Sequence, residues 1–186
     1  MAEQTLVLVT GLQGTGKSAT ADSAGRLLTA PVIAHDWAMS GLRPFPEVQS
    51  ALDEMGPSGH RDVGWSLLFA LGRSQLRRGI SVVLDGVARA AQVQKCAQIA
   101  AEERARMVLI LTTCSDLVLH RSRIESRRRN IPNWYELEWE HVERVRAEWE
   151  PPSSPDLIVD AVAPLEDNSR ALDELLRPPG AGASTA

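Results

Sequence analysis

Short apolar runs recur along the chain, and longer segments with a helical pattern of polar and apolar residues separate them. Runs of three to five apolar residues without polar alternation are typical of parallel strands that are covered on both faces of a sheet. They occupy residues 6–9, 32–34, 81–84, 107–111 and 157–159. We therefore predict five buried strands.

Helices are predicted between these strands, at about residues 17–29, 61–78, 88–104, 115–128, 136–149 and 166–176. The alternation of strands and helices indicates a doubly wound α/β fold with a parallel sheet and right-handed crossovers. We expect one domain over residues 1–177. Residues 178–186 are rich in Pro, Gly, Ala and Ser, a composition typical of a disordered tail.

Two segments do not fit a minimal core of sheet and helices. Residues 38–60 contain three prolines and three glycines around a short helical stretch at 47–54. Residues 127–135 begin with three arginines, contain Pro132 and lie between two predicted helices. Insertions of this kind commonly hold a substrate or close over it. We predict a substrate-binding insertion at 38–60 and a lid at 127–135.

The composition narrows the class of protein further. Of the 186 residues, 44% are hydrophobic and 24% charged, and the net charge of −4 disfavours non-specific nucleic-acid binding. Cys96 and Cys114 form no C-x-x-C pair, so neither a disulfide framework nor a zinc site is expected. A leader pattern and a run of about 20 apolar residues are both missing. We expect a cytoplasmic protein without a membrane partner.

The strongest chemical signal is the segment Gly11-Leu12-Gln13-Gly14-Thr15-Gly16-Lys17-Ser18. It matches the phosphate-loop pattern G-x-x-x-x-G-K-[ST], with a predicted strand before it and a helix after it. Backbone N–H groups and the helix N-terminus would surround the phosphates. Lys17 would reach the β- and γ-phosphates, the Ser18 hydroxyl would bind Mg²⁺, and Thr20 is a further nucleotide-binding candidate. The alternative, a glycine turn before an ordinary helix, is disfavoured by eight matching positions.

Two aspartates follow predicted strands, where an open parallel sheet places its ligands. Asp85 ends the strand at 81–84 and could hold Mg²⁺ or bind the acceptor, although it could also cap the next helix. Asp36 follows the strand at 32–34 and could accept the proton of an attacking hydroxyl. An exposed loop aspartate or a helix cap is the alternative for Asp36.

The arginines around the predicted lid are a further candidate group. Asp116, His120, Arg123 and Arg127 share one face of a predicted helix, from which the run 127–129 enters the lid. Arginines beside a nucleotide can stabilise charge on the γ-phosphate, with Arg129 expected to matter less than Arg127. A solvated basic helix end is the alternative.

Taken together, these segments resemble the P-loop small kinases related to polynucleotide kinase, the zeta toxins, gluconate kinase and chloramphenicol phosphotransferase. The resemblance covers about residues 5–176 and is carried by GLQGTGKS, the His-Asp pair after the second strand, VVLDG, TTCSDLVLHRSRIESR and LIVDA. It implies a three-layer P-loop kinase fold with strand order 2-3-1-4-5, ATP and Mg²⁺ as ligands, and an Arg-rich lid. By position it makes Asp36 the base and Arg123 and Arg127 the lid arginines that act with Lys17.

The predicted activity is transfer of the γ-phosphate of ATP to a hydroxyl of a small molecule, such as a sugar-like compound or an antibiotic. Relatives that bind a phosphorylated acceptor often carry Arg two or three residues after the base, where this chain has Ala38 and Met39. This difference favours a neutral acceptor over a polynucleotide 5′-hydroxyl. A nucleotide-dependent ATPase or switch, for which Asp36 would be dispensable, is the third alternative.

Residues that could contact the acceptor are expected in and near the 38–60 insertion. Trp and His side chains offer stacking faces and single hydrogen bonds. The candidates are Trp37, Arg43, His60, Arg61, Trp65, Asp85 and Arg89. Trp65 fits a core helix equally well.

Overall fold

Five parallel strands form a single sheet in the order β2-β3-β1-β4-β5. The structure, a computed structural model, describes residues 3–177. The strands are β1 (Thr5–Gly11), β2 (Val32–Ala34), β3 (Val82–Asp85), β4 (Arg106–Thr113) and β5 (Leu157–Asp160). Both the predicted fold class and the predicted strand order are confirmed. The expected tail at 178–186 lies outside the described residues.

Seven helices occur within residues 3–177 and cover both faces of the sheet. They are α1 (Lys17–Leu28), α2 (His35–Ser40), α3 (Pro46–Leu76), α4 (Ala90–Glu102), α5 (Leu117–Ser126), α6 (Trp139–Glu148) and α7 (Leu165–Leu176). Across the described range, every helix is too short or too polar to cross a membrane.

The two faces of the sheet carry separate hydrophobic cores because successive side chains of a strand point to opposite sides. Leu6 and Leu8 of β1 pack in one core with apolar residues of α3 and α4. Val7 and Val9 pack in the other core with residues of α1 and α7. All four are fully buried. The result is three layers, and the carboxyl ends of the strands form one edge of the middle layer.

The region between β2 and β3 is more helical than predicted. The short helix α2 follows β2 directly and was not predicted. The helical stretches predicted at 47–54 and 61–78 belong to α3, which is interrupted at Gly56 with φ 69° and ψ −172°. This left-handed φ suits glycine, and the following Pro57 cannot donate a helical hydrogen bond. The predicted substrate-binding insertion is therefore a kinked helix preceded by a turn.

The predicted lid forms an irregular loop between α5 and α6. It spans residues 127–138, because α6 begins at Trp139, three residues later than predicted. Trp139 and Val142 are buried together with Ile124 of α5. This small core fixes α5 and α6 against each other at both ends of the loop.

Candidate active site

The phosphate loop, residues 11–18, joins the carboxyl end of β1 to the amino end of α1. Gly16 has φ 93°, and open space surrounds the position where a Cβ would stand, so its conformation alone favours glycine. The Thr15 hydroxyl donates to the Leu12 carbonyl at 2.7 Å and contacts Thr112 Oγ1 of β4 at 2.7 Å. These bonds hold the loop at the end of the sheet, where the predicted nucleotide would bind.

Lys17 lies near the two predicted aspartates, whose charges both act on it. Its Nζ donates to the Leu12 carbonyl at 2.9 Å. Burial lowers the pKa of Lys17, and the nearby charges of Asp85 and Asp36 oppose that shift. An anionic phosphate that approaches a partly desolvated amine stabilises the charged form of that amine. The arrangement suits phosphate binding by Lys17.

Asp85 ends β3 beside the first turn of α1. The Ser18 hydroxyl donates to Asp85 Oδ2 at 3.1 Å, and Asp85 is only 6% exposed. Burial raises the pKa of Asp85, while Lys17 and Ser18 lower it. A carboxylate and a hydroxyl are the hard oxygen ligands that Mg²⁺ prefers, so the donor set fits this ion. Among residues 3–177 there is no cluster of three or more His, Cys, Asp or Glu that could hold a metal ion by itself.

Asp36 lies in the first turn of α2, next to the strand that ends in Asp85. The register pairs Ala34 of β2 with Asp85 of β3, which places both aspartates at one edge of the sheet. Asp36 Oδ2 accepts a hydrogen bond from Arg129 at 2.5 Å, and Oδ1 lies 3.6 Å from His35 Nδ1. Burial raises the pKa of Asp36, but His35 and Arg129 together outweigh it, so the pKa lies below its usual value. The carboxylate is thus held ionised.

Arg129 is the lid residue that contacts the candidate base. Its side chain is 9% exposed, and it also donates to the Tyr135 carbonyl at 2.6 Å. The Glu136 carboxylate accepts from the backbone N–H of Arg129 at 3.0 Å and forms a longer ion pair, 3.8 Å, with its side chain. The lid is therefore folded over Asp36. The sequence favoured Arg127 over Arg129 as a residue that acts on ATP, and the contact of Arg129 with the candidate base was not predicted.

The two arginines expected to bind ATP occupy different environments. Arg123 donates to the Ala161 carbonyl at 3.1 Å, which ties α5 to the loop after β5. Arg127 is exposed at the end of α5, and its charge lowers the pKa of both Lys17 and Asp85. Arg127 thus acts on the phosphate-loop lysine through its charge, whereas Arg123 already has a backbone partner.

The predicted substrate-binding insertion contacts the predicted lid through Arg43. The guanidinium of Arg43 lies 5.1 Å from the ring centroid of Trp134 and 5.6 Å from that of Tyr135. The two rings stack on each other at 5.0 Å. Trp37 follows Asp36 and is 55% exposed. Trp37 is therefore an exposed ring next to Asp36, and Arg43 lies against the aromatic pair of the predicted lid.

Trp65 is not available to an acceptor. It is 1% exposed and belongs to the core on the α3 and α4 side of the sheet. Its indole fills the space below Gly86, where an added Cβ would stand 2.9 Å from the ring. The acceptor role predicted for Trp65 is thus corrected, because the helical pattern around it serves the core.

Three further acceptor candidates have protein partners. Arg89 donates to the Glu148 carbonyl at 2.8 Å and so joins α4 to the end of α6. His60 Nε2 lies 3.3 Å from Asp53 Oδ1, and Arg61 Nε donates to Asp62 at 3.3 Å. The side chains of Arg89, His60 and Arg61 are thus engaged by protein groups, although the backbone carbonyl of Arg61 lies 3.3 Å from Nε2 of His35, next to Asp36.

His120 contacts the phosphate loop, a role that the sequence did not reveal. It is 1% exposed, and its Nε2 lies 2.6 Å from the Gln13 carbonyl oxygen. Its position on the same helical face as Arg123 and Arg127 was the available signal. That spacing shows which residues share a helical face. It does not identify the partner of His120, because Gln13 is 107 residues away in the sequence.

Similarity to other proteins agrees with this geometry. The model of the AAA_33 family, described as an AAA domain, matches residues 6–152. No curated protein sequence matches the chain. Among the solved structures that share the fold, three examples have 16%, 18% and 19% sequence identity to the chain.

Each of these three structures matches nearly the whole chain. A gluconokinase from Sinorhizobium meliloti 1021 has a TM-score of 0.67 at 19% identity, over 95% of this chain and 93% of that one. The APS kinase CysC of Mycobacterium tuberculosis, in complex with AMPPNP and APS, has a TM-score of 0.64 at 16% identity, over 95% and 99%. Kti12 of Chaetomium thermophilum, in complex with ADP-AlF3, has a TM-score of 0.67 at 18% identity, over 91% and 96%. With its phosphate loop and its 2-3-1-4-5 sheet, the chain belongs to the AAA_33 family and has a P-loop kinase-like fold.

Proposed function

We propose that the protein is a kinase that transfers the γ-phosphate of ATP to a hydroxyl of a small molecule. The observation that carries the proposal is the convergence of Lys17, Asp85 and Asp36 at one edge of the sheet. A phosphate-binding amine, a metal-binding carboxylate and a carboxylate able to take a proton are the groups that phosphoryl transfer to a hydroxyl requires. Kinases among the structures of similar fold support the proposal.

In the proposed reaction, the acceptor oxygen attacks the γ-phosphorus and the bond to the β-phosphate oxygen breaks. Lys17 and the loop amides hold the phosphates, and Asp36 takes the hydroxyl proton. Ser18 and Asp85 would hold Mg²⁺, which neutralises phosphate charge when bound. ADP and a phosphorylated acceptor are the products.

The lid must change its contacts during this reaction. Arg129 occupies Asp36 Oδ2, and His35 lies beside Oδ1. One carboxylate oxygen has to face the acceptor hydroxyl before it can take the proton. We propose that Arg129 turns from Asp36 towards the phosphates as ATP and acceptor bind, and that Arg127 approaches the γ-phosphate with it. Arg123 would contact the nucleotide while it keeps its hydrogen bond to the Ala161 carbonyl.

The acceptor would enter between α2 and the lid. Trp37 offers an exposed ring next to Asp36, and Arg43 lies against the aromatic pair of the lid. An aromatic face beside a hydrogen-bonding group suits sugar-like and natural-product acceptors. Such an acceptor would replace the contact between Arg43 and the lid.

A screen for ATP consumption tests the proposed function. Sugars, nucleosides, aminoglycosides and other hydroxylated antibiotics would be offered with ATP and Mg²⁺. We expect at least one compound to raise ADP formation well above the rate without acceptor. The product should have gained the mass of one phosphoryl group. Equal ADP formation with and without every compound would count against a small-molecule acceptor.

Replacing Asp85 with asparagine should raise the Mg²⁺ concentration needed for half-maximal turnover by roughly 10–100-fold. The amide removes the negative charge that would attract the ion but keeps an acceptor for the Ser18 hydroxyl. A magnesium titration of turnover measures the effect, with the exposed Asp22→Asn of α1 as control. An unchanged magnesium requirement together with weaker acceptor binding would assign Asp85 to the acceptor.

Replacing Arg129 with leucine should move the acidic limb of the pH profile of kcat/KM to higher pH. The pKa of Asp36 lies below its ordinary value of 3.8 because His35 and Arg129 outweigh the effect of burial, which raises it. Without Arg129 less opposes the effect of burial, so the pKa of Asp36 should rise. The ion pair between Arg129 and Asp36 should stabilise the folded protein fully above about pH 4. This contribution should disappear as the pH falls through the pKa that Asp36 has in the folded protein. The exposed Arg128→Leu is the control. Identical acidic limbs in wild type and Arg129→Leu would show that Arg129 does not set the protonation of Asp36.

A further inference from the structure

One side of the phosphate loop packs directly against α5. A Cβ added to Gly14, whose φ is 83°, would stand 2.7 Å from Ile124 Cδ1 and 3.0 Å from His120 Cδ2. Because side chains of α5 fill this side, phosphates must bind on the other. The loop therefore has a protein-facing side and a phosphate-facing side.

The ring of His120 has its two nitrogens in defined roles. Nε2 lies 2.6 Å from the Gln13 carbonyl oxygen, which can only accept, so Nε2 donates. Nδ1 lies 2.8 Å from NH2 of Arg146 in α6, which can only donate, so Nδ1 accepts. These partners select the neutral tautomer with its proton on Nε2.

The surroundings of His120 favour this neutral form. Burial lowers the pKa of His120, and although the bond to Gln13 opposes this shift, the charges of Arg146, Lys17 and Arg123 lower the pKa further. The ring also meets the indole of Trp139 edge to face at 5.3 Å. The donor therefore stays fixed in direction and protonation near neutral pH.

We propose that His120 is a positioning residue that orients one phosphate-binding amide, the N–H of Gly14. In a trans peptide the C=O and the following N–H point in opposite directions. His120 holds the Gln13 carbonyl towards α5, so the N–H of Gly14 points to the phosphate-facing side. A donor fixed before the ligand arrives has no reorganisation left to undergo on binding.

Arg146 and Trp139 of α6 support His120 in this role. The guanidinium of Arg146 lies 5.1 Å from the Trp139 ring centroid while it donates to His120. The helix α6 directly follows the lid. The His120 side chain therefore connects the position of α6 to the conformation of the phosphate loop. The proposed role rests on the proposed function, because it assumes that the loop binds nucleotide phosphates.

Two variants of similar size separate donation from packing. In His120→Gln the side-chain amide can reach the place of Nε2 and donate to Gln13, whereas His120→Leu fills space without a donor. We expect His120→Leu to weaken binding of a fluorescent ATP analogue about tenfold, the effect of one hydrogen bond. His120→Gln should stay within about threefold of wild type. Equal affinity in wild type and a folded His120→Leu would overturn the proposal.

Arg146 provides a second test if His120→Leu does not fold. Arg146→Leu removes the partner that fixes Nδ1, and it should weaken analogue binding about threefold. Arg144→Leu on the exposed side of the same helix should leave binding unchanged. Unchanged affinity in Arg146→Leu, or equal losses in both variants, would contradict the role of His120.

The orientation of Gly14 can be measured without nucleotide. ¹⁵N relaxation should give the Gly14 amide an order parameter near the rigid value of about 0.85 in wild type and His120→Gln. It should fall towards about 0.6 in His120→Leu or Arg146→Leu. A rigid Gly14 in all variants would overturn the proposal. If the Gly14 order parameter changes among the variants as expected but the wild-type protein does not bind the ATP analogue, the proposed function would be contradicted instead.

Discussion

Replacing Lys17 with alanine is expected to reduce phosphoryl transfer on the order of 10³-fold or more while the fold remains intact. The amine would neutralise charge that develops on the transferring phosphate, and no other lysine lies near the loop, since the second, Lys95, is in α4. Burial already lowers the pKa of Lys17, so the charged amine is costly in the free protein. The melting temperature should therefore stay the same or rise.

Activity and thermal unfolding have to be measured on the same preparations of this variant. Lys95→Ala, on the exposed side of α4, is the matched control and should behave as wild type in both assays. Turnover of Lys17→Ala at nearly the wild-type rate would remove the phosphate loop from the mechanism. Loss of activity together with a large fall in melting temperature would show a structural role instead.

Replacing Asp36 with asparagine should lower kcat by about 10²–10⁴-fold, the usual contribution of a general base. The amide is nearly isosteric but cannot take a proton at neutral pH. Arg129 loses its charged partner at Asp36 and keeps the Tyr135 carbonyl and Glu136, so the lid should remain folded. Affinity for an ATP analogue should change by less than about threefold, because Asp36 has no direct role in binding phosphate.

The exposed Asp62→Asn of α3 is a matched control that leaves the sheet edge unchanged. Steady-state kinetics give kcat, and a binding titration gives the affinity for the analogue. Collapse of nucleotide binding with a preserved kcat would make Asp36 a nucleotide or metal residue. A kcat near the wild-type value in Asp36→Asn would show that proton transfer to Asp36 is not part of the reaction.

The sheet and the phosphate loop could be predicted from the sequence because their signals are local. Each strand contains a short apolar run, and the loop pattern occupies eight consecutive residues. The prediction that all five strands are buried was wrong for the edge strands β2 and β5, which are only partly buried because each has a neighbouring strand on one side alone. The strand order was implied by the resemblance rather than by the runs themselves. Placement of Asp36 and Asp85 followed from the same topology, since parallel strands present their carboxyl ends at one edge.

The contacts of the site could not be predicted because they join distant parts of the chain. Arg129 and Asp36 are 93 residues apart, and His120 and Gln13 are 107 apart. The helical spacing predicts that His120 and Arg127 lie on the same face, but it does not show which of them contacts the phosphate loop. The choice between Arg127 and Arg129 depended on how the lid folds, which no periodic pattern encodes.

The helix α3 shows a different limit of sequence patterns. Gly56 and Pro57 predicted a break, and the structure has a kink there within a helix that otherwise continues. The apolar pattern around Trp65, further along α3, would be the same whether this side chain packs in the core or lines a pocket. Burial of its indole against Gly86 decided the question, and only the fold brings those residues together.

The fate of the γ-phosphate tests the central proposal most directly. The protein would be incubated with ATP, Mg²⁺ and an acceptor from the screen in ¹⁸O-labelled water, and ADP, inorganic phosphate and acceptor would be quantified by mass spectrometry. A kinase should form one phosphorylated acceptor for each ADP, with little ¹⁸O in inorganic phosphate. ADP matched by ¹⁸O-labelled inorganic phosphate, with the acceptor unchanged, would contradict the proposal and identify a nucleotide hydrolase or switch.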